Sequence, residues 1–211
     1  MPNPPRPPLV LASSSPARRA LLARLFGDGF EVRVPAVDEA PHAGEEPPAL
    51  ARRLAREKAE AIGRDRAGAV VIGADQVAVL GSRVLGKPGG PARALAQLME
   101  VSGREVRFFT AACVLDPAGA HHEHSDVTTV RFRAFDRALA EAYLRHDEPY
   151  GCAGSFRVEG AGVVLLEEVV SRDPTALVGL PMIWLGGLLV TLGLWGPARP
   201  GSAGARPEAA P

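Results

Sequence analysis

The chain has 211 residues, enough for one large domain or two small lobes. Its 24 basic and 24 acidic side chains cancel, which argues against nucleic acid or an anionic membrane as a partner and leaves room only for a local basic pocket. Two isolated cysteines, Cys113 and Cys152, exclude a disulfide framework or a zinc site and read as packed thiols in a reducing cytosol.

Residues 1–8 form a proline-rich lead-in, expected to be disordered or extended, without the apolar core of a signal peptide. Leu9 to Ala12 is a short apolar strand. The run SSSPARRALLARL follows. Ser15 suits an N-cap, Pro16 the first helical position, and Leu21, Leu22 and Leu25 an apolar face. Ser13, Ser15, Arg18 and Arg19 thus gather at a helix N-terminus, where backbone N–H groups attract anions. The plainer reading is a capped helix with solvated arginines. Phe30 to Val34 alternates as a strand, and Asp38-Glu39 precede a Pro- and Gly-rich loop. Such a pair can ligate a hard cation or simply face water. Pro47 to Ile62 is a helix with Leu50, Leu54, Ala61 and Ile62 on its buried side. Lys58, a lone helical lysine, is expected in solvent.

Val70 to Ile72 is a β-branched strand, expected to end at Gly73-Ala74 and leave Asp75 at the strand end. Val77 to Leu80 then turns at Gly81-Ser82 and returns Lys87. Two readings stand: a catalytic Asp75 with Lys87 on a phosphate, or a buried strand with a polar cap. Pro91 to Met99 is a helix, Arg104 to Leu115 a long strand, and Asp116 to Gly119 a turn. His121, His122 and His124 read as exposed histidines at a hairpin tip rather than as metal ligands. Val127 to Phe132 is a strand, Phe135 to His146 a helix, and Val163 to Leu166 a strand. Between the last two lies PYGCAGSFRVEGAG, whose glycines let backbone approach a ligand; Ser155, Arg157 and Glu159 are its polar members. Pro174 to Ala198 carries no charge, which raises a membrane span as an alternative. Pro181 and four glycines interrupt the run, so a buried C-terminal helix is expected, followed by a disordered tail over 196–211. The pattern predicts one α/β domain over 9–195, a mixed sheet flanked by helices.

The motifs LASSSPARRALL, VDE, EKA, GADQV, LGKP, CAGSF and GLPMIWL, in this order, resemble the Maf proteins, nucleoside triphosphate pyrophosphatases once called septum-formation inhibitors. The resemblance runs from about Leu9 to Leu189. It implies an inosine-triphosphatase-like fold, an elongated mixed sheet with two lobes around a central cleft. It also implies cytoplasmic hydrolysis of a nucleoside triphosphate to a monophosphate and pyrophosphate, with Mg or Mn as cofactor, and a homodimer. Carried over residue by residue, Asp75 is the proton acceptor. Ser13, Ser15, Arg18, Arg19, Lys58 and Lys87 bind phosphate, and Glu39 joins Asp75 at the metal.

Within the family, Gln76 after the aspartate and Glu159 in CAGSFRVEG are similar to the 7-methyl-GTP branch. A carboxylate accepts hydrogen bonds and suits the adjacent N1–H and N2–H donors of guanine, whereas uracil and thymine offer acceptors at O2 and O4. The branch usually carries tryptophan where this chain has Ala17, so a stacking ring is missing. The expected activity is therefore 7-methyl-GTP hydrolysis. A dTTP/UTP pyrophosphatase and a division regulator acting by partner binding are the alternatives.

Overall fold

The computed structural model describes residues 6–196. The elements follow one another as β1 (Leu9–Ala12), α1 (Pro16–Phe26), β2 (Glu31–Arg33), α2 (Pro47–Gly63), β3 (Val70–Leu80), β4 (Arg83–Leu85), α3 (Pro91–Val101), β5 (Glu105–Leu115), β6 (His121–Phe132), α4 (Arg137–Asp147), β7 (Leu166–Val170) and α5 (Met182–Thr191). Short 3-10 turns at Ala153–Ser155, Ala161–Leu165 and Ala176–Val178 shape the C-terminal third.

The strands form one mixed sheet in the order β2-β1-β3-β5-β6-β7, with β4 also on β3. β1 runs parallel to β2 and β3, joined through the crossovers that α1 and α2 provide. The remaining pairs are antiparallel. A strand has two edges, and β3 uses them unequally. β5 covers one edge from Val71 to Leu80. On the other, β1 pairs only as far as Gly73, and β4 begins only at Ala78. Ala74 to Val77 therefore face a gap between two strands, and the functional site opens there.

Side chains alternate across the sheet. On one face, Leu11, Ile72, Ala74 and Val114 pack under Leu21 and Leu22 of α1 and Leu185 and Leu189 of α5. Further along the same face, Leu80, Val106, Phe108, Val130 and Phe132 pack under Leu98 of α3 and Tyr143 and Leu144 of α4. The opposite face buries Val10, Val71, Val77 and Ala111 against Leu50, Leu54, Ala55 and Ala59 of α2. The first two clusters are the cores of two lobes on one sheet. Between them lies a polar cross-strand pair, Gln76 on β3 and Thr110 on β5.

Several expectations change. The strand does not end at Gly73-Ala74: β5 pairs straight through, Gly73 to Cys113, Ala74 to Ala112 and Asp75 to Ala111, so Asp75 sits in mid-strand. Gly73 serves a close approach, since a Cβ there would fall 2.2 Å from the Ala55 carbonyl oxygen of α2. The histidines belong to β6 and not to a hairpin tip. His121 pairs with Glu60, His122 with Asp116, and the His124 ring stacks on Trp184 at 5.2 Å. Val163 to Leu165 lie in a 3-10 turn, and the strand follows as Leu166–Val170. Pro8 is tied to the sheet, its carbonyl accepting from Val70 N at 2.8 Å. Of the expected lead-in and tail, residues 1–5 and 197–211 lie outside the described residues. The apolar C-terminal run forms α5, and no helix among the described residues is long and apolar enough to cross a membrane.

Candidate active site

The phosphate-type motif forms where β1 ends. Ser13 is buried, and its Oγ accepts from Ser15 N at 3.1 Å and Arg18 Nη1 at 3.3 Å. Ser15 caps α1, its Oγ accepting from Arg18 N at 3.3 Å, and Pro16 follows as the first helical residue. Arg18 reaches across the gap in the sheet edge. Its Nη1 donates to the Ala74 carbonyl at 2.9 Å and its Nε to the Gly179 carbonyl at 3.0 Å. Burial lowers the pKa of this guanidinium, while Asp75 and Glu39 pull it back up. Arg19, one residue on, is exposed and does not line the cavity described below.

Lys58 is not in solvent. It shares the buried side of α2 with Leu54, Ala55 and Ala59, and only 6% of its surface is exposed. The absent Cβ of Gly73 lets α2 lie close on β3, and the lysine Nζ comes to 2.6 Å from Asp75 Oδ1. The same Nζ is 2.6 Å from Glu39 Oε1, and Glu39 Oε2 is 3.1 Å from Lys87 Nζ. The four side chains form a line of alternating charge, Asp75–Lys58–Glu39–Lys87. Burial pushes the Glu39 carboxyl up, but hydrogen bonds and charge from Lys58 and then Lys87 outweigh it and hold the group down at about 2. Among the described residues no protein donor meets Asp75 Oδ2, so one carboxylate oxygen remains available for water or a cation.

This line borders a cavity of about 610 Å³. One wall is Ser13 to Arg18, with Ala17 among them. Glu39, Lys58, Asp75, Gln76 and Lys87 also line the cavity. Residues of the segment from Glu148 to Glu159, among them Cys152, Arg157 and Glu159, and Leu177 to Gly179 complete the lining. The structure thus brings every predicted site residue except Arg19 to a single cavity. Gln76 is anchored: its Nε2 lies 2.9 Å from Thr110 Oγ1 and 3.0 Å from each of the Ala176 and Leu177 carbonyls. Three acceptors around one end fix that end as the amide nitrogen, so the acceptor Oε1 is the end left for a ligand. Burial pushes the Cys152 thiol up; Glu159 and Asp147 add to that shift, while Arg157 and Lys87 oppose it.

Two parts of the site escape sequence reasoning. Glu148 lines the cavity in a left-handed conformation, φ 45°, at the C-terminus of α4. Only Pro149 after it signals a helix end. The carbonyls of Ala176, Leu177 and Gly179, which hold Gln76 and Arg18, belong to backbone and leave no side-chain pattern to read.

A family model described as Maf-like protein matches residues 8–192. The chain belongs to the Maf family. Maf relatives cover nearly all of it. The 7-methyl-GTP pyrophosphatase of Cupriavidus metallidurans is 54% identical over 185 residues, 87% of this chain and 92% of that protein. Proteins of the same name from Ralstonia nicotianae and Nitrosococcus oceani are 53% and 46% identical, covering 87% and 92% of this chain and 95% and 97% of their own. Among solved structures, a nucleoside-triphosphatase / dITP/XTP pyrophosphatase from Mycobacterium abscessus overlaps with a TM-score of 0.37 and 21% identity, over 59% of this chain and 73% of that one. That likeness is too low to carry an argument.

Proposed function

We propose that this Maf protein is a cytoplasmic pyrophosphatase that converts 7-methyl-GTP and water to 7-methyl-GMP and pyrophosphate. The observation that carries the reading is one cavity lined both by cations, Arg18, Lys58 and Lys87, and by hydrogen-bond acceptors, Gln76 Oε1 and Glu159. The first suits a triphosphate and the second the donor edge of guanine. Relatives about half identical to this chain bear the corresponding name.

In this reading the triphosphate replaces Glu39 as the partner of Lys87 and takes further contacts from Lys58, Arg18 and the hydroxyls of Ser13 and Ser15. These groups neutralise charge that would otherwise repel an attacking water. The water oxygen bonds to phosphorus, the bridging P–O bond of the α–β anhydride breaks, and pyrophosphate leaves with its charge held by the same cations. Asp75 Oδ2 takes the proton that the water loses. Glu39 and Asp75 also fit a Mg or Mn ion. Both carboxylates lie 2.6 Å from the one Lys58 ammonium, so they converge, and Mg²⁺ typically uses one or two carboxylates together with phosphate oxygens. Bound there, the ion supplies further charge neutralisation. Arg19, outside the cavity, has no part in this scheme. Ala17 offers no ring to stack on the base, so recognition falls to the polar groups.

A side-by-side panel of 7-methyl-GTP, GTP, dTTP and UTP with Mg or Mn, read as pyrophosphate release, tests the proposal. The methylated guanine nucleotide should be turned over fastest. Asp75→Asn should lose at least about a thousandfold in kcat while keeping its circular dichroism spectrum. Glu159→Gln should depress guanine use selectively. A pyrimidine nucleotide turned over fastest, or an Asp75→Asn variant at wild-type rate, overturns the reading.

A further inference from the structure

Beside the cavity lie two buried polar atoms without partners. Asp147, the last residue of α4, has a side chain only 4% exposed, and its Oδ2 has no hydrogen-bond partner. At 3.9 Å from it lies Nε of Arg157, equally buried and equally unpaired. That distance is ionic contact without a hydrogen bond. The loop around the pair is clamped. The Arg157 backbone N–H donates to the Tyr143 hydroxyl at 3.1 Å, and Gly160 packs so close that a Cβ there would fall 2.2 Å from Asp147 Oδ2. The carboxylate is walled in and the arginine backbone is held, so the freedom that remains is in the arginine side chain. That side chain is 40% exposed and lines the cavity, two residues before Glu159. With Nε buried against Asp147, the exposed part includes the terminal nitrogens.

The local charge decides what those nitrogens meet. Asp147, Glu148 and Glu159 oppose the single Arg157, three negative charges against one positive. A phosphate is repelled from such a wall and drawn to Arg18, Lys58 and Lys87, whereas a cationic, methylated base is welcome. Guanine presents, in adjacent positions, an acceptor at O6 and donors at N1 and N2. Arg157 and Glu159, lining the same cavity, carry the complementary donor and acceptor groups, and methylation of N7 leaves O6 as the remaining acceptor on that side.

We infer that Arg157 is a specificity-determining residue, its guanidinium held by Asp147 and donating to O6 of the base while Glu159 accepts from N1–H and N2–H. Asp147 is a positioning residue. This rests on the 7-methyl-GTP reading and adds to it a residue that distinguishes the 6-oxo group.

The test compares kcat/KM for 7-methyl-GTP with that for its 6-thio analogue, which weakens the acceptor at position 6 and keeps both donors. The wild type should favour the oxygen compound by about tenfold or more. Arg157→Ala should abolish that preference, Arg157→Lys should keep part of it, and Asp147→Asn should reduce it through KM with kcat retained. A merely structural role would lower both substrates equally. A wild type that does not distinguish the two compounds overturns the inference without any variant having to fold. So does an Arg157→Ala enzyme that keeps the full preference. Absence of pyrophosphate release from 7-methyl-GTP by the wild type is a separate result, which overturns the parent reading first.

Discussion

At the scale of single residues, the most buried ion pair among the described residues is that between Lys58 and Asp75, whose side chains are 7% and 12% exposed. Removing one member of a buried ion pair strands the other charge in a poorly solvated place, at a cost of about 3–5 kcal/mol. Lys58→Met should therefore destabilise the fold by about 3 kcal/mol. Lys58→Met with Asp75→Asn should recover much of that loss, as read from urea denaturation midpoints; equal instability of single and double variants would show that the pair is not coupled. Glu39 gives the acid limb. Its folded pKa of about 2 lies below the ordinary 4.5, so its ionised form stabilises the fold above pH 4.5, and the contribution drains away as pH falls towards 2. The carboxylate is 45% exposed, and solvent screening keeps the effect small. The stability difference between wild type and Glu39→Gln should shrink between pH 4.5 and pH 2. A constant difference across that range would separate Glu39 from acid sensitivity. Asp75 could be read in the sequence because a carboxylate inside an apolar run stands out. Lys58 could not, because one lysine on a helix looks alike whether it faces water or an aspartate, and only the approach of α2 to β3 decides.

At the scale of elements, that approach depends on a position with no side chain. Gly73 faces α2 at a spot where a Cβ would lie 2.2 Å from the Ala55 oxygen and 2.6 Å from the Ala59 nitrogen. Both are helix backbone and cannot rotate aside. Gly73→Ala should push α2 outward, cost about 2 kcal/mol or more, and carry Lys58 away from Asp75. Turnover should fall further than stability alone explains, measured at a temperature where the variant is still folded. Full activity in a folded Gly73→Ala protein would mean that the Lys58–Asp75 contact is not needed. The helices and the β3–β4 hairpin were legible because their caps, turns and periodicity are local. The continuation of β3 through Gly73 was not, because a glycine ending a strand and a glycine admitting a helix have the same sequence. The register of β7 was missed for a related reason: Val163, Val164 and Leu165 are apolar enough for a strand, yet they turn in a 3-10 segment, and pairing with β6 begins only at Leu166.

At the scale of the molecule, two apolar cores share β3 and β5, and the cavity lies where their polar boundary meets the gap in the sheet edge. Gln76 and Thr110 stitch that boundary to the 176–177 backbone, so the element closing the cavity is tied to the strands running through both lobes. Strands common to both cores should make unfolding a single transition. The two cysteines and two tryptophans report on this without added labels. Trp184 packs against the core under α1 and α5, whereas Cys152 lies in the wall carried by the other lobe. Cys113 is buried in the sheet, its thiol pushed up to about 12 by burial, and should resist alkylation in the native state. Cys152 is only partly buried and lines the cavity, so a small alkylating reagent should modify it first. A non-hydrolysable 7-methyl-GTP analogue should slow that modification, and GTP less so, because occupancy of the cavity covers the thiol. In rising urea, exposure of Cys113 and the change in tryptophan fluorescence should share one midpoint, shifted upward by the analogue. Separate midpoints for the two probes would mean that unfolding is not a single transition. Undiminished labelling of Cys152 with the analogue bound would place the nucleotide away from the Glu148 to Glu159 wall.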